Sequence, residues 1–201
     1  MQSDKKEQLN AFWQHFLHGT DREEAFSGIY RLSIHGMLSY GQSLGYDRET
    51  CQDVIHDIFY HLYQNKSRLS HVRNINVYLL YSLRNSLINV GHKQSRLRHE
   101  PPQEMPFITT VTILDEIISH EDQEHLKERV RHLLEALTPR QREAVYLRYM
   151  HNMSYKEISQ LLQMDQISAR KLVYRAINSM RKKSADTNLP MIMFLLLGFS
   201  R

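Results

Sequence analysis

Apolar residues recur at helical spacing through most of the chain. Ala25-Phe26, Ile29-Tyr30, Leu32, Met37-Leu38 and Leu44 recur at roughly three-to-four spacing, and Gly45-Tyr46-Asp47 ends that run. Beyond Asp47, the residues Val54, Ile55, Ile58, Phe59, Leu62 and Tyr63 form one apolar stripe. The stretch Asn65 to Asn74 is polar and basic and predicts a loop. A third run carries Val77, Leu79, Leu80, Leu83, Leu87, Ile88 and Val90, with fraying expected near Gly91. These amphipathic segments predict three or four helices sharing one core, in an N-terminal domain at residues 8–98.

Proline interrupts the pattern at Pro101, Pro102 and Pro106, because it lacks an amide donor and clashes with the preceding turn. A linker is expected at residues 99–120. Its segment Phe107 to Leu114 is apolar and β-branched, more than a slack tether, and suited to lie against a partner or against either domain. An acidic helix is expected from near Asp115 to about Leu137, leading into a second domain at residues 121–183. Thr138 followed by Pro139 and Gln141 predicts a capped helix start, and Ser154 with Glu157 predicts a second. The helix opened by Ser154 buries Ile158, Leu161 and Leu162. Gln163-Met164-Asp165 then makes a tight turn, and Asp165 caps a last helix from Gln166. The fold class is all-α, in two small helical domains.

Composition agrees with this: 7 Gly and 5 Pro in 201 residues leave little material for hairpin turns. A single cysteine, Cys51, excludes an intramolecular disulfide and a cysteine-based zinc cluster and fits a reducing compartment. The N-terminal residues Met-Gln-Ser-Asp-Lys-Lys-Glu have no apolar core, so no secretory signal is expected, in keeping with a cytoplasmic protein.

Charge changes the picture more, through its distribution. The net charge is only +4, yet Ile58 to His99 contains no Asp or Glu and holds Lys66, Arg68, Arg73, Arg84, Lys93, Arg96 and Arg98. An acidic segment follows, with Glu100, Glu104, Asp115, Glu116, Glu121, Asp122, Glu124 and Glu128. Gln166 to Lys183 is again free of acid. Two basic segments held apart by an acidic one suit two separate contacts with a polyanion, where Lys and Arg gain affinity by releasing counterions.

The short capped helix, three-residue turn and longer basic helix read as a helix-turn-helix, whose second helix enters a major groove. On that helix Ala169, Val173, Ala176, Ile177 and Met180 are expected to face inward. Ser168, Arg170, Lys171, Tyr174, Arg175 and Asn178 are left for base edges and phosphates.

Three stretches carry a family resemblance. Leu137-Thr-Pro-Arg-Gln-Arg-Glu-Ala-Val-Tyr-Leu-Arg-Tyr149, Met153-Ser-Tyr-Lys-Glu-Ile-Ser-Gln-Leu-Leu162 and Leu172-Val-Tyr-Arg-Ala-Ile177 resemble region 4 of bacterial sigma factors of the extracytoplasmic-function group in the sigma-70 family. Cys51-Gln-Asp-Val-Ile-His-Asp-Ile-Phe-Tyr-His-Leu-Tyr63 resembles region 2.2 of that group, and Tyr78-Leu-Leu-Tyr-Ser-Leu-Arg-Asn85 resembles the helix after it. The form Leu172-Val-Tyr-Arg-Ala is similar to a Bacteroidetes-type subgroup. The sequence departs from the usual pattern at Gln163, where glycine is common, at Ser168, at Leu172, at Tyr78 and at His56.

The resemblance implies an alternative sigma factor, without enzymatic activity or cofactor. Its implied partners are core RNA polymerase, through the largest-subunit clamp and the flap, promoter DNA and an anti-sigma factor. Asp53, His56, Asp57 and Phe59 are the implied polymerase-binding residues. Arg68, Arg73, Tyr78, Tyr81, Arg84 and Asn85 would act at the minus-10 element, where aromatic rings stack on unpaired bases and arginines hold the backbone. Ser168, Arg170, Lys171, Tyr174 and Arg175 would read the minus-35 element. The alternative is a helix-turn-helix regulator that binds an operator as a dimer without polymerase.

Other chemistry is weaker. His15 with His18, and His56 with His61, lack a third ligand at convincing spacing, so no metal is expected. Cys51 beside His56 is expected to pack as a small apolar residue rather than act as a nucleophile. Asp53 and Asp57, one turn apart, have no catalytic companion. The tail at 184–201 contains the apolar run Leu189 to Phe199, about half the length of a membrane span, so no stable insertion is expected. Packing of this tail on an apolar groove is favoured over an exposed anchor, and a closed state in which it hides the recognition helix is a hypothesis that follows from such packing.

Overall fold

The computed structural model describes residues 2–98, 106–108 and 124–183. The expected tail at 184–201, most of the linker and the beginning of the acidic helix lie outside them. The described residues are helical with no strand, and they fall into two units, Asp4–Pro106 and a second beginning at Phe107.

Four helices and one 3-10 turn build the N-terminal unit: α1 (Gln2–His18), α2 (Arg22–Ser43), α3 (Arg48–Gln64), the turn Lys66–Leu69, and α4 (Ile75–Arg98). Helix α1 is the addition to the three apolar runs. Its stripe Leu9, Trp13, Phe16 and Leu17 is buried, and the Trp13 indole stacks on Phe16 with ring centroids 5.7 Å apart. Phe16 meets Phe26, and Phe26 meets Tyr63 and Phe59, so aromatic side chains from α1, α2 and α3 share one cluster. Full burial of a Phe-sized side chain contributes about 1.5–3 kcal/mol, which makes this cluster a main source of cohesion.

Small residues set how closely the helices approach. A Cβ at Gly41 would lie 2.6 Å from the Cys51 sulfur, so α2 and α3 meet where α2 has no side chain. Helix α2 ends as its sequence requires. Gly45 takes the left-handed conformation at φ 90°, its N–H donates to Gln42 O at 2.9 Å, and Tyr46 N–H donates to Gly41 O at 3.4 Å, closing the last turn. Asp47 then caps α3 by accepting from Thr50 N at 2.8 Å.

Gly91 does not fray α4, which runs unbroken to Arg98. The Tyr46 hydroxyl sits against Gly91, where a Cβ would collide with it, so the glycine serves a close approach rather than a helix end.

The second unit contains α5 (Glu124–Glu135), α6 (Pro139–Tyr149), α7 (Tyr155–Leu161) and α8 (Gln166–Lys183). Both expected capping boxes form. Thr138 Oγ1 accepts from Gln141 N at 3.3 Å while Gln141 Oε1 accepts from Thr138 N at 3.0 Å. Ser154 Oγ accepts from Glu157 N at 3.2 Å while Glu157 Oε2 accepts from Ser154 N at 2.7 Å. Val130, Leu133, Leu137, Val145, Ala176 and Met180 form one core across α5, α6 and α8. Ile158, Leu161 and Leu162 are buried as their spacing predicts.

Phe107 belongs to this second unit. Its ring is buried 5.5 Å from that of Tyr146, and its carbonyl accepts from Arg142 Nη1 at 2.7 Å. Of the two domains its sequence allowed, this apolar linker residue packs on the C-terminal one.

Candidate nucleic-acid interface

The turn between α7 and α8 decides how the last helix is presented. Gln163 adopts φ 53°, its N–H donates to Gln160 O at 3.4 Å, and Met164 N–H donates to Ser159 O at 3.0 Å. This is the same closure that Gly45 gives α2, made here by a residue with a Cβ at a cost of about 1–2 kcal/mol. The turn stays tight without glycine, so the departure at Gln163 leaves the helix-turn-helix geometry intact.

Asp165 caps α8. Its Oδ1 accepts from Ser168 N at 2.8 Å and its Oδ2 from the Ser168 hydroxyl at 2.6 Å. The Ser168 side-chain bond, then its backbone N–H, hold the Asp165 carboxyl below the usual aspartate value, so the carboxylate stays charged. Ser168, expected at the DNA face, is half-buried at its edge. Its proton is committed to Asp165, and only its lone pairs remain to be offered outward.

Ala169, Leu172, Val173, Ala176 and Met180 are the buried stripe of α8, with Ile177 only partly covered. Leu172 is not among the residues expected to face inward, and its place in the core accounts for an apolar residue there. Arg170, Lys171, Tyr174 and Arg175 are all exposed, as a groove-facing set requires. Arg175 Nε donates to Lys171 O at 3.4 Å, which keeps that guanidinium close to the helix surface. Ile167 is missing from the expected set yet stands 68% exposed on the same face, at i, i+4 and i+7 with Lys171 and Tyr174. Its apolar character concealed it in a search for polar readers.

A second basic surface lies on the N-terminal unit. Arg68, on the 3-10 turn, and Arg73, in the following loop, are exposed. The loop is fixed from below, because the buried Trp13 indole donates to Val72 O at 2.8 Å. Asn74 Oδ1 accepts from Val77 N at 3.3 Å and caps α4. Tyr78, Tyr81 and Asn85 lie at i, i+3 and i+7, so they share one face of α4, with Arg84 beside it. Tyr81 is exposed, and Tyr78, Arg84 and Asn85 are half-buried. Since α4 continues past Gly91, His92 and Arg96 extend the same face and are exposed. The acid-free span to His99 was the signal for them. Lys66 is turned the other way, its Nζ 5.6 Å from the Phe16 ring centroid.

On α3, Asp53, His56 and Asp57 are exposed on one face, but Phe59 is not with them. It is 4% exposed, 4.9 Å from the Tyr30 ring and 5.8 Å from that of Phe26. Its periodicity had put it in the apolar stripe, and the structure keeps it there, contrary to its expected place on a docking surface. The most exposed aromatic of α3 is Tyr60, seven residues after Asp53 on this face.

Nothing about Cys51 suits a nucleophile. It is buried, and desolvation with the nearby Asp47 charge pushes its thiol up to about 11. Among the described residues no three His, Cys, Asp or Glu side chains converge as a metal site requires, and no helix is long and apolar enough to cross a membrane.

Comparison with known proteins points the same way. Residues 127–180 match the family model of sigma-70 region 4. Among solved structures, the chain is similar to the sigma factor RpoE from Bartonella quintana, determined in a co-crystal with the anti-sigma factor NepR. The TM-score is 0.55 at 18% sequence identity, over 79% of this chain and 96% of that one. No curated protein sequence gives a significant match. At that identity the likeness establishes fold alone: the chain shares the helical architecture of that structure, and the match to sigma-70 region 4 falls within its second unit.

Proposed function

We propose that the protein is an alternative sigma factor of the extracytoplasmic-function type, which binds core RNA polymerase and directs promoter-specific initiation. One observation carries the reading. Inside the segment that matches region 4, a capped α7 and a tight turn present an acid-free α8 whose outward positions are Arg170, Lys171, Tyr174 and Arg175. Such a helix suits the major groove, because guanidinium and ammonium groups donate to guanine edges and phosphates with no acid of the helix itself to repel them.

The other assignments follow from this reading. Arg68, Arg73, Tyr78, Tyr81, Arg84 and Asn85 serve the minus-10 element: exposed arginines on a pinned loop hold the backbone, and aromatic faces on α4 receive unpaired bases. Asp53, His56 and Asp57, with Tyr60 in place of the buried Phe59, form the polymerase-docking face. The protein acts by positioning rather than by catalysis, and takes no cofactor. An anti-sigma factor is the proposed regulatory partner, as RpoE has one in its co-crystal. Membership of a Bacteroidetes-type subgroup rests on Leu172 to Ala176 alone.

Run-off transcription with core RNA polymerase and genomic fragments tests the proposal. The full chain is expected to bind core as a monomer and to start transcription at discrete sites. Failure to bind core, together with dimeric binding to a palindromic duplex, would replace it by the independent regulator.

A further inference from the structure

Ile167 has no evident role in the fold. Its side chain is 68% exposed at the start of α8, directly opposite the buried stripe, while the capping of that turn is done by Asp165 and Ser168. A β-branched residue is also a poorer helix former than alanine or leucine, so the position gains nothing by propensity. Around it stand Arg170, Lys171 and Tyr174, all exposed on the same face.

The chemistry of this first turn differs from that of the turns after it. The Asp165 carboxylate repels phosphate, and Ser168 Oγ, its proton given to Asp165, offers lone pairs only. A corner that sets an apolar side chain beside a hydroxyl acceptor is matched by a major-groove edge with a methyl group beside a donor. An A·T pair presents there an amine donor on adenine and the C5-methyl group of thymine, whereas a G·C pair offers the amine donor of cytosine but no methyl group. One turn later, Arg170 and Lys171 supply the donors that guanine or phosphate would take.

On the reading of α8 as a promoter-recognition helix, we infer that Ile167 is a specificity-determining residue that packs on the C5-methyl group of a thymine in the upstream promoter element. Ser168 stands beside it to accept from the adenine amine. The contact is apolar and the size of one methyl group, so it is worth about a four- to tenfold preference in affinity.

The test uses the full chain bound to core RNA polymerase. Selection from a random duplex library supplies the upstream element, and each thymine in it is then replaced singly by deoxyuridine, which lacks only the methyl group. Wild-type protein is expected to lose about four- to tenfold in affinity at one position. Ile167→Ala, at an exposed helical site where alanine favours the helix, should bind the unmodified duplex more weakly by a similar factor and ignore that replacement. Tyr174→Ala should bind more weakly and still respond to it. The inference is overturned if no deoxyuridine replacement weakens wild-type binding, if Ile167→Ala stays as sensitive as wild type, or if Tyr174→Ala alone becomes insensitive. Absence of any selected duplex overturns the sigma-factor reading as well, and so separates that failure from the others.

Discussion

Helices α6 and α8 lie in the same unit, both rich in arginine, and they use it in opposite ways. On α6, Arg142 donates to Leu137 O at 3.2 Å and to Phe107 O at 2.7 Å, and Arg140 donates to Leu162 O at 3.2 Å. Arg148 donates to Met153 O at 2.7 Å and lies 5.0 Å from the Tyr155 ring centroid. These guanidinium groups satisfy carbonyls at helix ends and in connecting loops, which have no intrahelical donor. On α8, Arg170, Lys171 and Arg175 stand in solvent, and Arg175 donates to the carbonyl of Lys171 on its own helix. Cationic charge in a sequence therefore does not measure charge offered to DNA. Whether a carbonyl end lies within reach decides which arginines are structural.

The largest expected effect breaks the comparison on the side of α8. Arg170→Glu with Arg175→Glu should lower promoter binding by more than about 100-fold and flatten its salt dependence, while the thermal unfolding midpoint stays near wild type. Loss of folding in that variant would show these two residues to be structural after all. Arg142→Ala should do the reverse. It removes two charged-donor hydrogen bonds and is expected to destabilise the C-terminal unit by about 2–3 kcal/mol in denaturant titration, with residual folded protein still binding promoter.

The caps sharpen the contrast on a smaller scale. Thr138→Ala, at the start of α6, should cost about 1 kcal/mol, equally at neutral and acidic pH, since a hydroxyl cap does not titrate there. Asp165 starts α8 with a charged cap whose carboxyl is held below its ordinary value by Ser168. The stability it contributes is fully present above the unfolded aspartate value and is lost as pH falls through and below that range. Asp165→Asn should therefore flatten the acid limb of unfolding measured by circular dichroism, the smallest of the four effects. An unchanged acid limb would deny Asp165 this role.

What could be read from the sequence follows the range of each interaction. The capping boxes at Thr138 and Ser154, the end of α2 at Gly45 and the outward cations of α8 all depend on residues within about one turn of each other, so spacing alone predicts them. The role of α1 was not legible in that way. Its Trp13 holds a loop at Val72, fifty-nine residues away in sequence. Gly91 looked like a helix end, and only its contact with Tyr46 explains why it is not one.

By itself, then, the sequence determined the helices that follow α1, most of their caps, the two acid-free segments and the helix-turn-helix, because these are local consequences of side-chain type and period. Tertiary structure decided which of several eligible residues face out: Tyr60 instead of Phe59, Ile167 beside the cations of α8, and the arginines of α6 turned to carbonyls. The physical reason is that exposure and hydrogen-bond partners belong to pairs of elements, and a linear pattern carries the period of one helix without the position of its neighbour.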